Sequence, residues 1–215
     1  MSKKLFSWKT NFKSIIVVDS ELFHNSYEVT LHIQPVTANL REQSDYFERL
    51  KMLFESVFSN TVILARDEKL FPILKKETNN RFVELPFQPY DQLMAAVCFT
   101  KSNAVADGKI LINKLDLSSY QGDGITYQIV KEGPEIQLLD VDKWFSAKYN
   151  KFNPWWLRSD TATYDEELSK GIYTGHYRWH NNDVEIENLD KQHTQHAKIF
   201  EFNPKVLDGG KDKNK

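Results

Sequence analysis

The chain of 215 residues carries a single cysteine, Cys98. One thiol excludes an intramolecular disulfide and any zinc site built from several cysteines, and it fits a reducing compartment. Long apolar runs are missing as well. The longest purely aliphatic stretch is Ile15 to Val18, against the roughly 18 consecutive apolar residues that a bilayer-spanning helix needs. No apolar region of secretory length follows the N-terminal lysines, so neither a signal peptide nor a membrane partner is expected, and the cytoplasm is the expected location. Net charge is small, -2 from 28 basic and 30 acidic residues. That balance argues against a protein devoted to coating nucleic acid, because phosphate binding needs a concentrated positive field. Catalytic signatures are lacking too: there is no G-x-S-x-G elbow, no G-x-x-x-x-G-K-S/T phosphate loop and no cysteine in an electropositive setting. Cys98 sits in the apolar run Met94 to Phe99, where it reads as a small buried hydrophobe. No internal repeat is visible, and no cofactor is expected.

What the chain does have is an ordinary globular balance, 40% hydrophobic and 27% charged, with 13% aromatic residues as its unusual feature. Its length suits one large domain or a domain with a smaller appendage. From Tyr27 to Val36, apolar Tyr27, Val29, Leu31 and Ile33 alternate with Glu28, Thr30, His32 and Gln34, the period of a half-buried strand, with His32 on the polar side. Asn39 with Glu42 three residues on forms a capping signal. Behind it, Tyr46, Phe47, Leu50, Leu53, Phe54, Val57 and Phe58 make one apolar stripe, which predicts a helix over Leu40 to Phe58. Thr61 to Ala65 supplies the next strand, so a βαβ crossover is suggested, with antiparallel pairing left open. A short helix at Leu70 to Lys76, a strand at Phe82 to Phe87, a helix ending before Gly108 and a hairpin from Lys109 to Val130 follow.

After Gly133-Pro134 long periodic elements give way to short ones. The expected organisation is a core domain over residues 1–132, an aromatic-rich subdomain over 133–207 and a Gly-rich charged tail over 208–215. The fold class is α+β: a mixed sheet covered by a long amphipathic helix, with short strands and helices in the C-terminal portion.

Four groups of residues invite a functional reading. The strongest is the aromatic run holding Trp144, Tyr149, Trp155 and Trp156, with Lys151 and Arg158 beside it. It suits a protein interface, where Trp, Tyr and Arg form hot spots, or a stacking surface for single-stranded nucleic acid; it equally suits a small aromatic core. Adjacent Trp155 and Trp156 would point to opposite faces of an extended chain, which argues that one reaches a partner. The second group, His176, His180, His193 and His196 with Asp183, has ligands for zinc or manganese. A hairpin at Ile172 to Ile186 weakens it, since four residues of strand span about 13 Å and cannot share one ion. Third, Asp183, Glu185 and Glu187 alternate with Val184 and Ile186; three such carboxylates could hold magnesium for phosphodiester chemistry, but a solvent-facing strand explains them better. Asp67-Glu68-Lys69, an acid, acid, lysine grouping as in nucleases, is equally explained as a charged turn. Fourth, Met1 to Lys13 is basic and aromatic, with no acid before Asp19, so it could lie on an acidic partner or on RNA, or simply form a strand with solvated lysines.

The functional expectation is a non-enzymatic interaction protein, a subunit or adaptor whose partner is another protein. A single-stranded nucleic-acid-binding component comes second. A metal-dependent hydrolase or nuclease using the C-terminal histidines comes third.

Overall fold

The computed structural model describes residues 5–78, 81–131, 154–159, 161, 163, 177–180 and 183–186. Two long strands open the chain, β1 (Phe6–Val18) and β2 (Glu21–Pro35). Asp19 and Ser20 between them take φ of 51° and 65°, the paired left-handed conformation of a two-residue hairpin whose twist matches its strands. The strand signals at Ile15–Val18 and from Tyr27 onward are therefore the buried parts of longer strands. The basic arm joins them: its residues 6–13 are the outer half of β1.

The apolar stripe after Asn39 folds in two pieces. An α-helix, α1 (Leu40–Met52), runs directly into a π-helical stretch, Leu53–Phe58. Asn39 Oδ1 accepts the Arg41 N–H at 3.0 Å, as an N-cap should, but Glu42 turns to the Thr37 hydroxyl at 2.9 Å instead of the cap's own N–H. Tyr46, Leu50, Leu53, Phe54, Val57 and Phe58 are buried and Phe47 is half-buried. The π winding, with more residues per turn, draws Leu53, Phe54, Val57 and Phe58 into a narrower arc facing the sheet than an α-helix would. That is the physical reason a single regular helix does not form.

Next come β3 (Val62–Ala65), α2 (Phe71–Glu77), β4 (Phe82–Leu85) and α3 (Asp91–Ala106), then β5 (Ile110–Ser119) and β6 (Thr126–Val130). Six strands form one mixed sheet in the order β4-β3-β1-β2-β5-β6. The suggested crossover is corrected by this order: β3 skips β2 and pairs parallel with β1, while β1 and β2 are antiparallel. The α1 connection thus links antiparallel strands on opposite sides of β1.

One sheet face carries the larger core, while on the opposite face Val17, Val62, Leu64 and Phe82 form a smaller cluster with Phe71 and Leu74 of α2. The even residues of β1 and odd residues of β2 meet in the larger core, with Phe12 stacked on Tyr27 at 4.7 Å and on Phe58 at 5.4 Å. The cover expected of one long helix is shared between α1 with its π extension and α3, the longer α-helix. From Leu93 to Phe99 every residue of α3 is buried, the signature of a helix enclosed on all sides. Asp107 at φ 49° and Gly108 at φ 70° end it, as the glycine predicts.

The far side of α3 is closed by the described residues of 154–163. Trp155 and Trp156, in a single 3-10 turn (Trp155–Leu157), are both 0% exposed and join the same core as Phe12 and Leu50. This turn, unlike an extended chain, lets adjacent rings pack together, edge-on at 5.7 Å. Trp155 and Trp156 therefore share the core of the first 130 residues. A separate antiparallel hairpin, β7 (Tyr177–His180) and β8 (Asp183–Ile186), occupies the expected turn region.

Candidate functional site

Of the residues singled out by sequence, Trp155 and Trp156 are core residues, and neither ring is available to a partner in this fold. Trp155 Nε1–H donates to the Glu84 carbonyl at 2.8 Å, and Thr163 donates to the Phe82 carbonyl at 3.0 Å. Alternate residues of β4 bond to β3, so the carbonyls of Phe82 and Glu84 face the sheet margin, and this segment's side chains satisfy them. Lys101, fully buried on α3, donates to the Trp155 carbonyl and, at 3.0 Å, to the Arg158 carbonyl. Its ammonium lies 5.6 Å from the Trp155 ring centroid. Arg158 is half-buried at the end of this turn. The aromatic signal at Trp155 and Trp156 is thus the signal of a docked core segment, and the buried lysine that anchors it carried no recognisable pattern.

Trp144, Tyr149 and Lys151 lie outside the described residues, as do His176, His193 and His196. His180 and Asp183 face each other as Cα partners where β7 meets β8. Among the described residues no group of three His, Cys, Asp or Glu is placed to hold a metal ion. The Asp67-Glu68-Lys69 turn is a structural tie: Glu68 is buried, accepting from Ser20 Oγ at 2.8 Å, Leu70 N–H at 3.3 Å and Gln88 Nε2 at 3.4 Å. Burial pushes its carboxyl upward, yet the hydrogen bonds from Ser20, Leu70 and Gln88 prevail and hold it below its ordinary value. Burial alone pushes the Cys98 thiol far up, which makes it inert as a nucleophile.

Three features remain on the sheet's second side, which α2 covers in part, and at its margin. The first is a row of side chains across β1, β2 and β5: Ser7 Oγ to His32 Nδ1 at 3.2 Å, His32 Nε2 to Asp116 Oδ2 at 2.9 Å, and Lys114 Nζ to Asp116 Oδ1 at 3.0 Å. Sequence had placed His32 on a polar surface, without its partners. A Ser, His, Asp order can move a proton, but Ser7 is exposed at the sheet margin and the row does not line the cleft described below. Its geometry zips three strands together.

The second is the outer edge of β1. Ile15 N–H bonds to Thr61 O and Asn60 N–H to Lys13 O, so the odd residues of β1 turn their backbone groups away from β2. Pairing with β3 covers only Ile15 and Ile16. Among the described residues, nothing pairs with the outward N–H and C=O groups of Ser7, Lys9 and Asn11. Beside this edge, on the helix side, Trp8 packs on Phe47 at 5.1 Å and on Phe54 at 5.9 Å, and Phe6 stays 42% exposed. On the other side stand Lys9 and Lys13, both exposed.

The third is a cleft of about 510 Å³ at the inner end of β1, lined by Lys13, Ile15, His24, Ser26, Asn60, Val62 and Tyr120 among others.

No family model and no curated protein matches the chain. A crystal structure of an uncharacterized protein from Wolinella succinogenes is similar over 60% of this chain and 98% of its own, at 11% identity and a TM-score of 0.45. A catalytic-residue mutant of Plasmodium vivax 6-pyruvoyltetrahydropterin synthase is similar over 59% of this chain and 97% of its own, at 9% identity and a TM-score of 0.36. Likeness at this level carries nothing about activity.

Proposed function

We propose that the protein is a non-enzymatic interaction component of a cytoplasmic assembly, and that it takes an extended acidic segment of a protein partner along the outer edge of β1. The observation that carries this reading is the outward row of backbone groups on Ser7, Lys9 and Asn11. An unpaired edge is a template for an added strand, with main-chain hydrogen bonds supplying affinity and alternate side chains supplying specificity. A strand laid there would present every second residue toward Phe6, Trp8 and Phe47 and the others toward Lys9 and Lys13. The complementary sequence alternates apolar and acidic residues. The lysines also guard the edge against self-pairing until such a segment arrives.

The test uses Asn11→Pro and Lys9→Glu. Proline at position 11 removes an outward N–H without touching the bonds to β2, a substitution that edge strands accept. A partner recovered from the native host should crosslink to β1, bind less well as salt rises, and be lost with either variant. A partner that binds both variants as well as the parent overturns the proposal. So does recovery of single-stranded nucleic acid in its place, or a protein that elutes alone in every preparation.

A further inference from the structure

The cleft at the inner end of β1 shares Lys13 with the partner edge but lies beyond its unpaired backbone groups at Ser7, Lys9 and Asn11. Its floor is two cross-strand rows on the sheet face opposite the larger core, Lys13 opposite Ser26 and Ile15 opposite His24. One wall is the turn Asn60–Val62 leading into β3, where Asn60 at φ 56° donates its N–H to Lys13 O at 2.7 Å. The opposite wall is Tyr120, which is 81% exposed.

We propose that this cleft binds a small organic anion, with a carboxylate or phosphate monoester group between Lys13 and His24 and an apolar or aromatic body against Ile15, Val62 and Tyr120. Charge supports the polar end. Among the described residues no carboxylate lines the cleft, and none pairs with Lys13 or His24. Glu28 lies on the same face, one row beyond Ser26, and is not part of the lining. Lys13, His24, Ser26 and Asn60 all bring hydrogen-bond donors, the set an anion requires and a metal cation does not. Size supports the other end, since the volume falls within the roughly 300–1,000 Å³ typical of small-molecule sites.

The backbone behind the tyrosine wall is held in place before any ligand arrives. Buried Asn25 accepts Ser26 N–H at 2.9 Å and Gln121 N–H at 3.2 Å, and Gln121 Nε2 donates to the His24 carbonyl at 3.1 Å. Tyr120 is thus tethered through its neighbour to the strand that carries His24. Fixed geometry of this kind lowers the ordering cost of binding.

The probes are phenyl phosphate, benzoate and uncharged benzyl alcohol, titrated against the labelled full chain and followed by amide chemical shifts. Either aromatic anion should perturb residues 13–15, 24–26 and 60–62, and benzyl alcohol should bind at least about tenfold more weakly, as befits loss of a charge-assisted contact. Phenyl phosphate binding alone would identify a phosphate ester as the ligand group, and benzoate binding alone a carboxylate. Lys13→Gln and His24→Gln should each weaken the anion roughly tenfold. Tyr120→Ala should weaken aromatic anions while leaving inorganic phosphate unchanged. The Asn11→Pro variant should retain binding, which separates this site from the partner edge. The proposal is overturned if neither anion shifts these amides at about 10 mM, if shifts cluster elsewhere, or if the Lys13→Gln/His24→Gln double variant binds as the parent does.

Discussion

Glu68 shows how a single side chain can join distant parts of this chain. Its carboxylate gathers the β1–β2 turn through Ser20, the entry to α2 through Leu70 N–H, and the approach to α3 through Gln88. Its folded-state pKa is held below the ordinary value by those bonds. A depressed carboxyl contributes stability that is present above the unfolded pKa, roughly 4.3, and is lost as pH falls through the folded value. Glu68→Gln should therefore cost about 1–2 kcal/mol near neutral pH, and parent and variant should converge in acid, as read from urea unfolding at several pH values. A cost that stayed constant with pH would contradict the role given to the charge. Sequence shows the Asp67-Glu68-Lys69 triplet as a charged turn and does not say which of the three turns inward. That choice depends on Ser20 and Gln88, 48 and 20 residues away.

At the scale of elements, Trp155, Trp156 and Thr163 cover the margin of β4 and close the far side of α3. Trp155 fills the core while its Nε1–H serves the Glu84 carbonyl, and Lys101 ties the turn to α3 by two carbonyls. Removing the ring leaves a large cavity and an unserved carbonyl together. Trp155→Ala should destabilise the fold by about 3–5 kcal/mol, the range for truncating buried aromatic residues, and thermal unfolding measures it. A change within about 0.5 kcal/mol would instead return this residue to the surface role that sequence suggests. The aromatic density of this region is plain in the sequence, but its destination is not. A tight turn, not an extended strand, sets the direction of two adjacent rings, and the lysine beneath them lies more than fifty residues earlier. The apolar stripe behind Asn39 was more legible, because helical spacing alone identifies its buried side; the change of winding at Leu53 answers to the sheet it meets.

For the whole molecule, the order β4-β3-β1-β2-β5-β6 puts the first strand near the middle of the sheet, with α1 and α3 covering one face and α2 part of the other. Local stability should follow that burial. Amides of Met94 to Phe99, enclosed in α3, should exchange with solvent only on global unfolding, whereas those of Ser7, Lys9 and Asn11 should exchange fast unless a partner strand is bound. Hydrogen exchange read by mass spectrometry or amide resonances checks both halves, and slow exchange at Asn11 in the isolated protein would contradict the open edge.

The sequence by itself determined the α+β class, the buried side of each strong element and the hairpin of β5 and β6, because periodicity and turn chemistry act over a few neighbouring residues. It also restricted the chemistry, through one buried cysteine and no catalytic signature. Only the tertiary structure decided that β3 pairs with β1, that Trp155 and Trp156 pack inward, that Lys13 and His24 line one cleft, and that half of β1 has an edge no other described residue pairs with. Each of those depends on which distant strands become neighbours, a competition between global packings that no local pattern encodes.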